Sequence, residues 1–350
     1  MTQVNKICTD NCTLFTGDAI DAMSELADCS VQMICTSPPY YGLRDYGNEK
    51  QIGLEHSPHE YIDRLVCVFR ECKRIMREDG ILYVNIGDCY ANNKNTRYKN
   101  KDLIGIPWML AFSLRDDGWY LRMDNIWAKT NCMPESVKDR TTRSHEYVFM
   151  FSKSNRYFYD AEAIKEPAIY PNDDRGGRTD NRRGTKMNSV SGSTGTTRNK
   201  RSVWTIPTSP YRKAHFATFP PALAEIMIRS GSSEYGSCSI CAAPYKRITS
   251  REKSPKSPYS DVRHTTQGTH RKLGSQYQIW LDAHPITTTG WQQSCSCHNA
   301  NPVPCTILDP FNGAGTSGLV ALRESRKYIG IDLNQEYIDL TVERLGLKMV

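Results

Sequence analysis

Apolar positions along the chain fall into short runs and amphipathic stretches that alternate over most of its length. Leu14-Phe15 leads into Gly17-Asp18 as a strand would, Ala19 to Leu26 has helical spacing, and Val31, Met33, Ile34 and Cys35 form a second apolar run. His59 to Arg77 places Tyr61, Leu65, Val68, Phe69, Cys72, Ile75 and Met76 at helical spacing, and Asp79-Gly80 is expected to end that helix. Ile81 to Ile86 predicts a strand stopping at Gly87-Asp88. Residues 103–115 predict a helix, and 124–128 and 146–151 predict strands. The tail repeats the alternation: strand 303–308, turn 309–315, helix 316–323, strand 328–331 and helix 336–345. Such a succession predicts an α/β fold with a mixed, mostly parallel sheet and helices on both faces.

Two stretches break this texture. From Pro171 to Lys213 periodicity disappears, and ten Lys or Arg residues face only Asp173, Asp174 and Asp180. A solvated linker would look like this, and so would a segment that tracks phosphates and orders on nucleic acid. Trp204 and Tyr211 at its end offer apolar footholds and favour the second reading. Residues 242–290 are again polar, bracketed by cysteine pairs.

At 350 residues the chain has room for about two domains. Nothing in it resembles an apolar run of the ~18 residues a membrane span needs, and Met1 to Lys6 lacks the basic-then-apolar start of a signal peptide. A cytoplasmic location, away from membranes, is therefore expected. The net charge of +7 points to a polyanionic partner only where it is clustered. Of the thirteen cysteines, Cys8, Cys12, Cys29, Cys35, Cys67, Cys72, Cys89, Cys132 and Cys305 read as small reduced core residues. Cys238-Ser239-Ile240-Cys241 and Cys295-Ser296-Cys297 have the spacing of two ligand pairs. Four thiolates could complete a structural zinc site, with His298 as a substitute ligand.

Chemistry concentrates at two turns. Thr36-Ser37-Pro38-Pro39-Tyr40 ends an apolar run in a rigid corner, because neither proline has an N–H and each restricts the residue before it. The corner offers a hydroxyl, carbonyl oxygens and an aromatic ring, acceptors suited to a donor group on a flat ring; an ordinary turn is the alternative. In the tail, Asp309-Pro310-Phe311-Asn312-Gly313-Ala314-Gly315 places two glycines in a strand-to-helix turn, and Asp332 ends the next strand, where a carboxylate can accept ribose hydroxyls. A third glycine is missing, and Asp309 would repel a pyrophosphate. A cationic nucleoside without phosphates, such as S-adenosylmethionine, fits that turn better.

Together these motifs resemble the DNA amino-methyltransferases, and their order, corner early and glycine turn late, resembles the beta class. The likeness extends to Gly17-Asp18, Asn85-Ile86-Gly87-Asp88, Trp127-Ala128-Lys129 and Phe216 to Pro220. It implies a Rossmann-like S-adenosylmethionine-dependent fold with permuted chain order. It also implies Asp309, Phe311, Gly313 and Gly315 beside the methionine part of the cofactor, Asp332 on the ribose, and Asp18 and Phe219 near the adenine. Thr36 and Thr316 are grouped with them. Ser37, Pro38, Pro39 and Tyr40 become the catalytic set, acting on the exocyclic amine of a base flipped from double-stranded DNA. Ser before Pro-Pro favours N4 of cytosine, with N6 of adenine as the alternative; an RNA or protein amide methyltransferase and an inactive nucleic-acid-binding relative are more distant ones. The expected layout is a catalytic half at 1–150, target recognition at 151–214, a cofactor-side helix at 215–236, a zinc-binding insertion at 237–298 and a cofactor half at 299–350. A restriction-modification role would bring a cognate endonuclease, and a monomer or homodimer is expected.

Overall fold

A computed structural model describes residues 4–43, 50–92, 98–167, 197–209, 211, 218–251 and 283–347. Two compact units divide the chain. The first comprises Met1–Asp160, Arg201–Tyr245 and Gln293–Val350, the second Ala161–Lys200 and Lys246–Gln292. The expected catalytic segments lie in the first unit. The expected recognition region and Cys-rich insertion are each divided between the two, and most of the basic stretch lies outside the described residues.

The first unit is built on a nine-stranded sheet. Its strands are β1 (Asn5–Cys8), β2 (Cys12–Thr16), β3 (Val31–Thr36), β4 (Met76–Ile86), β5 (Tyr120–Ala128), β6 (His145–Ser152), β7 (Val203–Thr205), β8 (Thr306–Asp309) and β9 (Lys327–Asp332). Their order is β1-β2-β9-β8-β3-β4-β6-β5-β7. β2, β9, β8, β3 and β4 run parallel, while β1 and β6 run against their neighbours. Helices α1 (Ala19–Ser24), α2 (Pro58–Ile75) and α3 (Ile106–Asp116) pack with one apolar cluster. Helices α4 (Pro221–Gly231), α5 (Thr316–Arg323) and α6 (Gln335–Leu345) pack with a second. The central strands feed both clusters by alternation: Ile34 and Leu82 join the first, Met33, Cys35, Ile81 and Tyr83 the second. A sheet buried on both faces in this way explains why β3 is apolar almost throughout.

α2 shows how local chemistry sets an element. Ser57 caps its first turn by accepting from Glu60 N at 3.2 Å, Pro58 occupies the first helical position, and Tyr61, Leu65, Phe69, Cys72 and Ile75 form its buried stripe. Its end differs from expectation. The helix stops at Ile75 and β4 starts directly at Met76, so Asp79-Gly80 lies inside a strand rather than at a helix terminus. The pairing with β3 slips there, and a Cβ on Gly80 would stand 2.9 Å from the Gln32 carbonyl oxygen. The glycine serves a close strand approach. The predicted strand 303–308 is also two pieces. Pro302–Val303 pairs with Ser237–Cys238, and only Thr306–Asp309 joins the large sheet. Pro304, without an N–H, stands between them. Cys8, Cys29 and Cys67 are exposed rather than core, whereas Cys12, Cys35, Cys72 and Cys305 are buried.

The second unit contains an antiparallel ladder of Lys246–Ser250 with Thr287–Gln292 and a short pairing of Glu166–Pro167 with Thr197–Arg198. Trp204, expected as a foothold for the basic stretch, is a core residue of the first unit in β7, its indole donating to Arg201 O at 2.7 Å. Among the described residues no helix is long and apolar enough to cross a membrane.

Candidate active site

The chain runs outward from the middle of the sheet in both directions: β3 to β4 one way, β8 to β9 the other. The crevice between the carboxyl ends of β3 and β8 is thus a topological switch point, where open α/β sheets take their ligands. Thr36 ends β3 and Asp309 ends β8. The corner and the glycine turn leave those two strands side by side.

Asp309 joins them. Its Oδ1 accepts from Thr36 Oγ1 at 2.6 Å and from Phe311 N at 3.1 Å, and its Oδ2 accepts from Ser317 Oγ at 2.7 Å. Burial pushes this carboxyl up to about 6, opposed by those three donors. Gly313 and Gly315 take left-handed φ values of 51° and 70°, and a Cβ on Gly315 would stand 2.6 Å from Thr341 Cγ2. The turn is therefore tight as well as left-handed. Thr316 at its end accepts from Arg344 Nη1 at 3.0 Å.

Asp332, at the end of the neighbouring β9, accepts from Gly313 N at 2.8 Å and Asn334 N at 2.9 Å. Burial pushes it too up to about 6, and the Asp309 charge adds to the rise. Gly17 N donates to Asp332 O at 2.9 Å, which brings Asp18 alongside; Asp18 caps α1 through Ile20 N at 2.9 Å. Asp18, Asp309, Phe311, Gly313 and Asp332 thus lie along one edge. Phe219 packs half-buried on the α4 to α6 side, whereas Phe311 and Tyr40 pack on the other.

The corner is braced from below. Tyr61 Oη donates to Pro39 O at 2.7 Å, and Ser37 is half-buried. Tyr40 Oη donates to Glu146 Oε2 at 2.6 Å. Burial, then the Glu146 charge, raises the Tyr40 hydroxyl well above its usual range, with Ser37 acting the other way. Glu146 also accepts from Asn85 Nδ2 at 3.1 Å and pairs with Lys129 Nζ. The ring of Tyr40 is therefore held by its hydroxyl.

Asn85, Lys129 and Glu146 stand far apart in the sequence, and nothing in any one stretch marks their convergence beneath Tyr40. The available signal was a hairpin: β5 and β6 pair antiparallel with Ala128 opposite His145, so residues just past one strand and opening the other meet. His145, next to Glu146 at the start of β6, is exposed, its ring edge-on to Tyr147. Asp88 accepts from Cys89 N, Gly105 N and Ile106 N at 2.9–3.1 Å and caps α3. Nothing in the sequence marks Ser317, Tyr61 or Arg344 as a site residue; each reaches its partner from a helix that sequence spacing cannot orient.

Cys238, Cys241, Cys295 and Cys297 do come together. Their sulfur atoms all lie within 4.8 Å of one another, and each is a free thiol.

Comparison with known proteins places this geometry. The DNA methylase family model N6_N4_Mtase matches residues 31–238 and 304–343. The Type II methyltransferase M.XycI of Xanthomonas campestris pv. cyanopsidis is 38% identical, over 95% of this chain and 87% of its own. In structure the chain is similar to the PvuII DNA methyltransferase, described as cytosine-N4-specific, with a TM-score of 0.58 and 18% identity over 98% of this chain and 90% of that one. It is also similar to a putative DNA modification methylase from Thermus thermophilus, TTHA0409, solved in complex with S-adenosyl-L-methionine (TM-score 0.52, 19% identity, 97% and 95% covered). The α/β fold is theirs. With the family model covering most of the chain and a relative at this identity along nearly all of it, the chain belongs to the N6_N4_Mtase family of DNA methylases.

Proposed function

We propose that the chain transfers a methyl group from S-adenosyl-L-methionine to the exocyclic amine of a base flipped out of double-stranded DNA, N4 of cytosine being the preferred acceptor. The observation that carries this is the meeting of Ser37-Pro38-Pro39-Tyr40 and the glycine turn at one switch point, bonded through Thr36 and Asp309. Ser37, the cytosine-N4-specific description of the PvuII enzyme and the cofactor bound to the Thermus protein support base and donor. The donor set suits such a nucleoside: backbone opened by left-handed glycines, a carboxylate at each neighbouring strand end, and no basic side chain in the turn to attract a pyrophosphate.

An exocyclic amine is a poor nucleophile because its lone pair is delocalised into the ring. Ser37 Oγ and the Pro38 carbonyl can accept its two hydrogens and draw the nitrogen toward a tetrahedral shape, which frees that pair. Tyr40 offers its ring face to the flipped base, and the Glu146 bond keeps that face in place. Bound in the turn, the cofactor supplies an electrophilic methyl on a sulfonium. The residues then contribute orientation above all. Asp332 is assigned to the ribose, Asp18 and Phe219 to the adenine side, and Phe311, Gly313, Gly315 and Thr316 to the turn that receives the donor. Asp309, with three internal donors already on its oxygens, acts by holding turn and corner together and by its negative charge. A cognate restriction endonuclease is the partner that Type II relatives suggest, and the four cysteines are assigned a structural zinc ion.

Incubation with methyl-labelled cofactor and unmethylated DNA, followed by nucleoside mass spectrometry, tests the reading. N4-methylcytosine is expected. N6-methyladenine alone would reassign the base, and label entering RNA or protein but not DNA would overturn the substrate.

A further inference from the structure

The cysteine cluster takes no part in the chemistry just described and lies at the other end of the sheet. Two features suit it to a metal. A tetrahedral zinc with Zn–S bonds near 2.3 Å holds its sulfurs about 3.8 Å apart, while a disulfide needs about 2.05 Å; the four sulfurs here lie within 4.8 Å as free thiols. Donors also converge on sulfur. Ile240 N and Cys241 N each approach Cys238 Sγ at 3.4 Å, and the Gln293 amide donates to Cys295 Sγ at 3.2 Å and to Cys297 O at 2.7 Å. N–H groups of this kind orient thiolate ligands and stabilise their charge.

Its position gives the cluster a further meaning. The chain leaves the first unit after Tyr245 and re-enters at Gln293, with one cysteine pair just before the exit and the other just after the return. The two arms are stitched directly: Ser237–Cys238 pairs with Pro302–Val303, Ser294 Oγ donates to Pro244 O at 2.6 Å, and Ser239 N donates to Asn301 O at 3.0 Å. Both are fastened to the sheet. Arg77 donates to Cys241 O, and Gln32 donates to Ala242 O while accepting from Thr306 N. Gln32, Arg77 and Thr306 stand at the amino ends of β3, β4 and β8. The corner and glycine turn stand at the carboxyl ends, which for strands of four to six residues is roughly 13–20 Å away.

We propose that Cys238, Cys241, Cys295 and Cys297 hold one Zn²⁺ that clamps the exit and re-entry of the Lys246–Gln292 segment onto the amino end of the sheet. This rests on the zinc assignment above and adds its role: the ion orders the two arms and leaves the cofactor crevice untouched. Few apolar residues line these arms, so metal coordination stands in for a core there. Arg77, itself paired with Asp79 at 2.9 Å, holds the Cys241 carbonyl at the sheet side of the cluster.

Metal analysis of the purified full chain, followed by stripping with a thiol-directed mercurial and a chelator, tests both parts. One zinc per chain is expected, with cobalt giving the intense visible bands of a tetrahedral tetrathiolate. Stripping should raise proteolytic cleavage within 237–245 and 293–303 about tenfold, as local unfolding would, and leave S-adenosylmethionine affinity within about twofold. Cys297→Ser should behave likewise; should it fail to fold, the stripped wild-type chain decides. Absence of zinc together with a mapped disulfide would refute the metal site itself. Zinc present, but with cleavage unchanged on stripping or cofactor binding lost with it, would refute the clamp alone.

Discussion

Thr36 Oγ1 donates to Asp309 Oδ1 at 2.6 Å, bonding the end of β3 to the end of β8 between positions 273 apart in the chain. Both groups are buried, so the bond replaces water for a carboxylate that burial would otherwise leave poorly solvated. Thr36→Val keeps the shape and removes the donor. It should lower stability by about 1–3 kcal/mol and weaken cofactor binding, whereas Thr36→Ser should restore most of both. Thermal unfolding and cofactor titration measure this, and a valine variant as stable as wild type would remove the bond from the account.

Ser37→Ala should reduce methyl transfer about 10²-fold, the typical loss for one group that acts mainly in the transition state. Cofactor affinity should stay unchanged, because the serine belongs to the amine side of the crevice. Unaltered turnover would take Ser37 out of the mechanism.

Glu146 gathers Tyr40, Asn85 and Lys129, and its charge is balanced by the lysine. Removing either charge leaves the other, largely buried, without its ion-pair partner, so Glu146→Gln and Lys129→Met should each cost about 1–3 kcal/mol and each slow methyl transfer. The double variant should lose less stability than the two single losses combined. Simple additivity in a double-mutant cycle would show that the pair carries no coupling. Cofactor affinity is the control and should not move.

Gly87 faces the same ring. A Cβ there would stand 2.8 Å from Tyr40 Cε2, with Glu146 Cγ at 3.5 Å. Gly87→Ala should therefore tilt Tyr40 and cut turnover at least about tenfold, at an overpacking cost of about 1–3 kcal/mol. Normal turnover in a folded variant would mean that the ring orientation is irrelevant to the base.

Asp309 and Asp332 both rise from an ordinary 3.8 to about 6 through burial. Their contribution to stability is fully present below pH 3.8 and is lost as pH rises through 6, because the folded state then gives up protons it had favoured holding. Above pH 6 the buried Asp309 and the half-buried Asp332 both carry negative charge, and a bound sulfonium relieves them. Affinity for S-adenosylmethionine should therefore strengthen as pH rises through about 6, by up to about tenfold per pH unit. S-adenosylhomocysteine, a neutral thioether, should respond less. Calorimetric titration of both ligands across that range measures the difference, and parallel profiles would rule out the electrostatic link.

Much of the fold is legible in the sequence. The alternation of Leu14-Phe15, Val31 to Cys35 and Ile81 to Ile86 with amphipathic stretches specifies an α/β sheet, because burial on two faces demands apolar runs and helices demand a stripe. Residues that must act within a few positions of one another, such as Asp309 with Gly313 and Gly315, also declare themselves, since turn geometry is local. Helix α2 ends before Asp79-Gly80 rather than at it, because pairing with β3, a partner some fifty positions away, overrides the local breaker.

The sequence by itself determined the elements, the two turns and their residue chemistry, and the spacing of the cysteine pairs. Only the tertiary structure decided what faces what. Strand order put Thr36 beside Asp309, hairpin register brought Lys129 and Glu146 to Tyr40, and the pairing of Pro302–Val303 with Ser237–Cys238 drew Cys295 and Cys297 to Cys238 and Cys241. These choices rest on the packing of many side chains at once across long chain separations, and hydrophobic burial, being non-directional, leaves no mark of them in any short stretch of sequence.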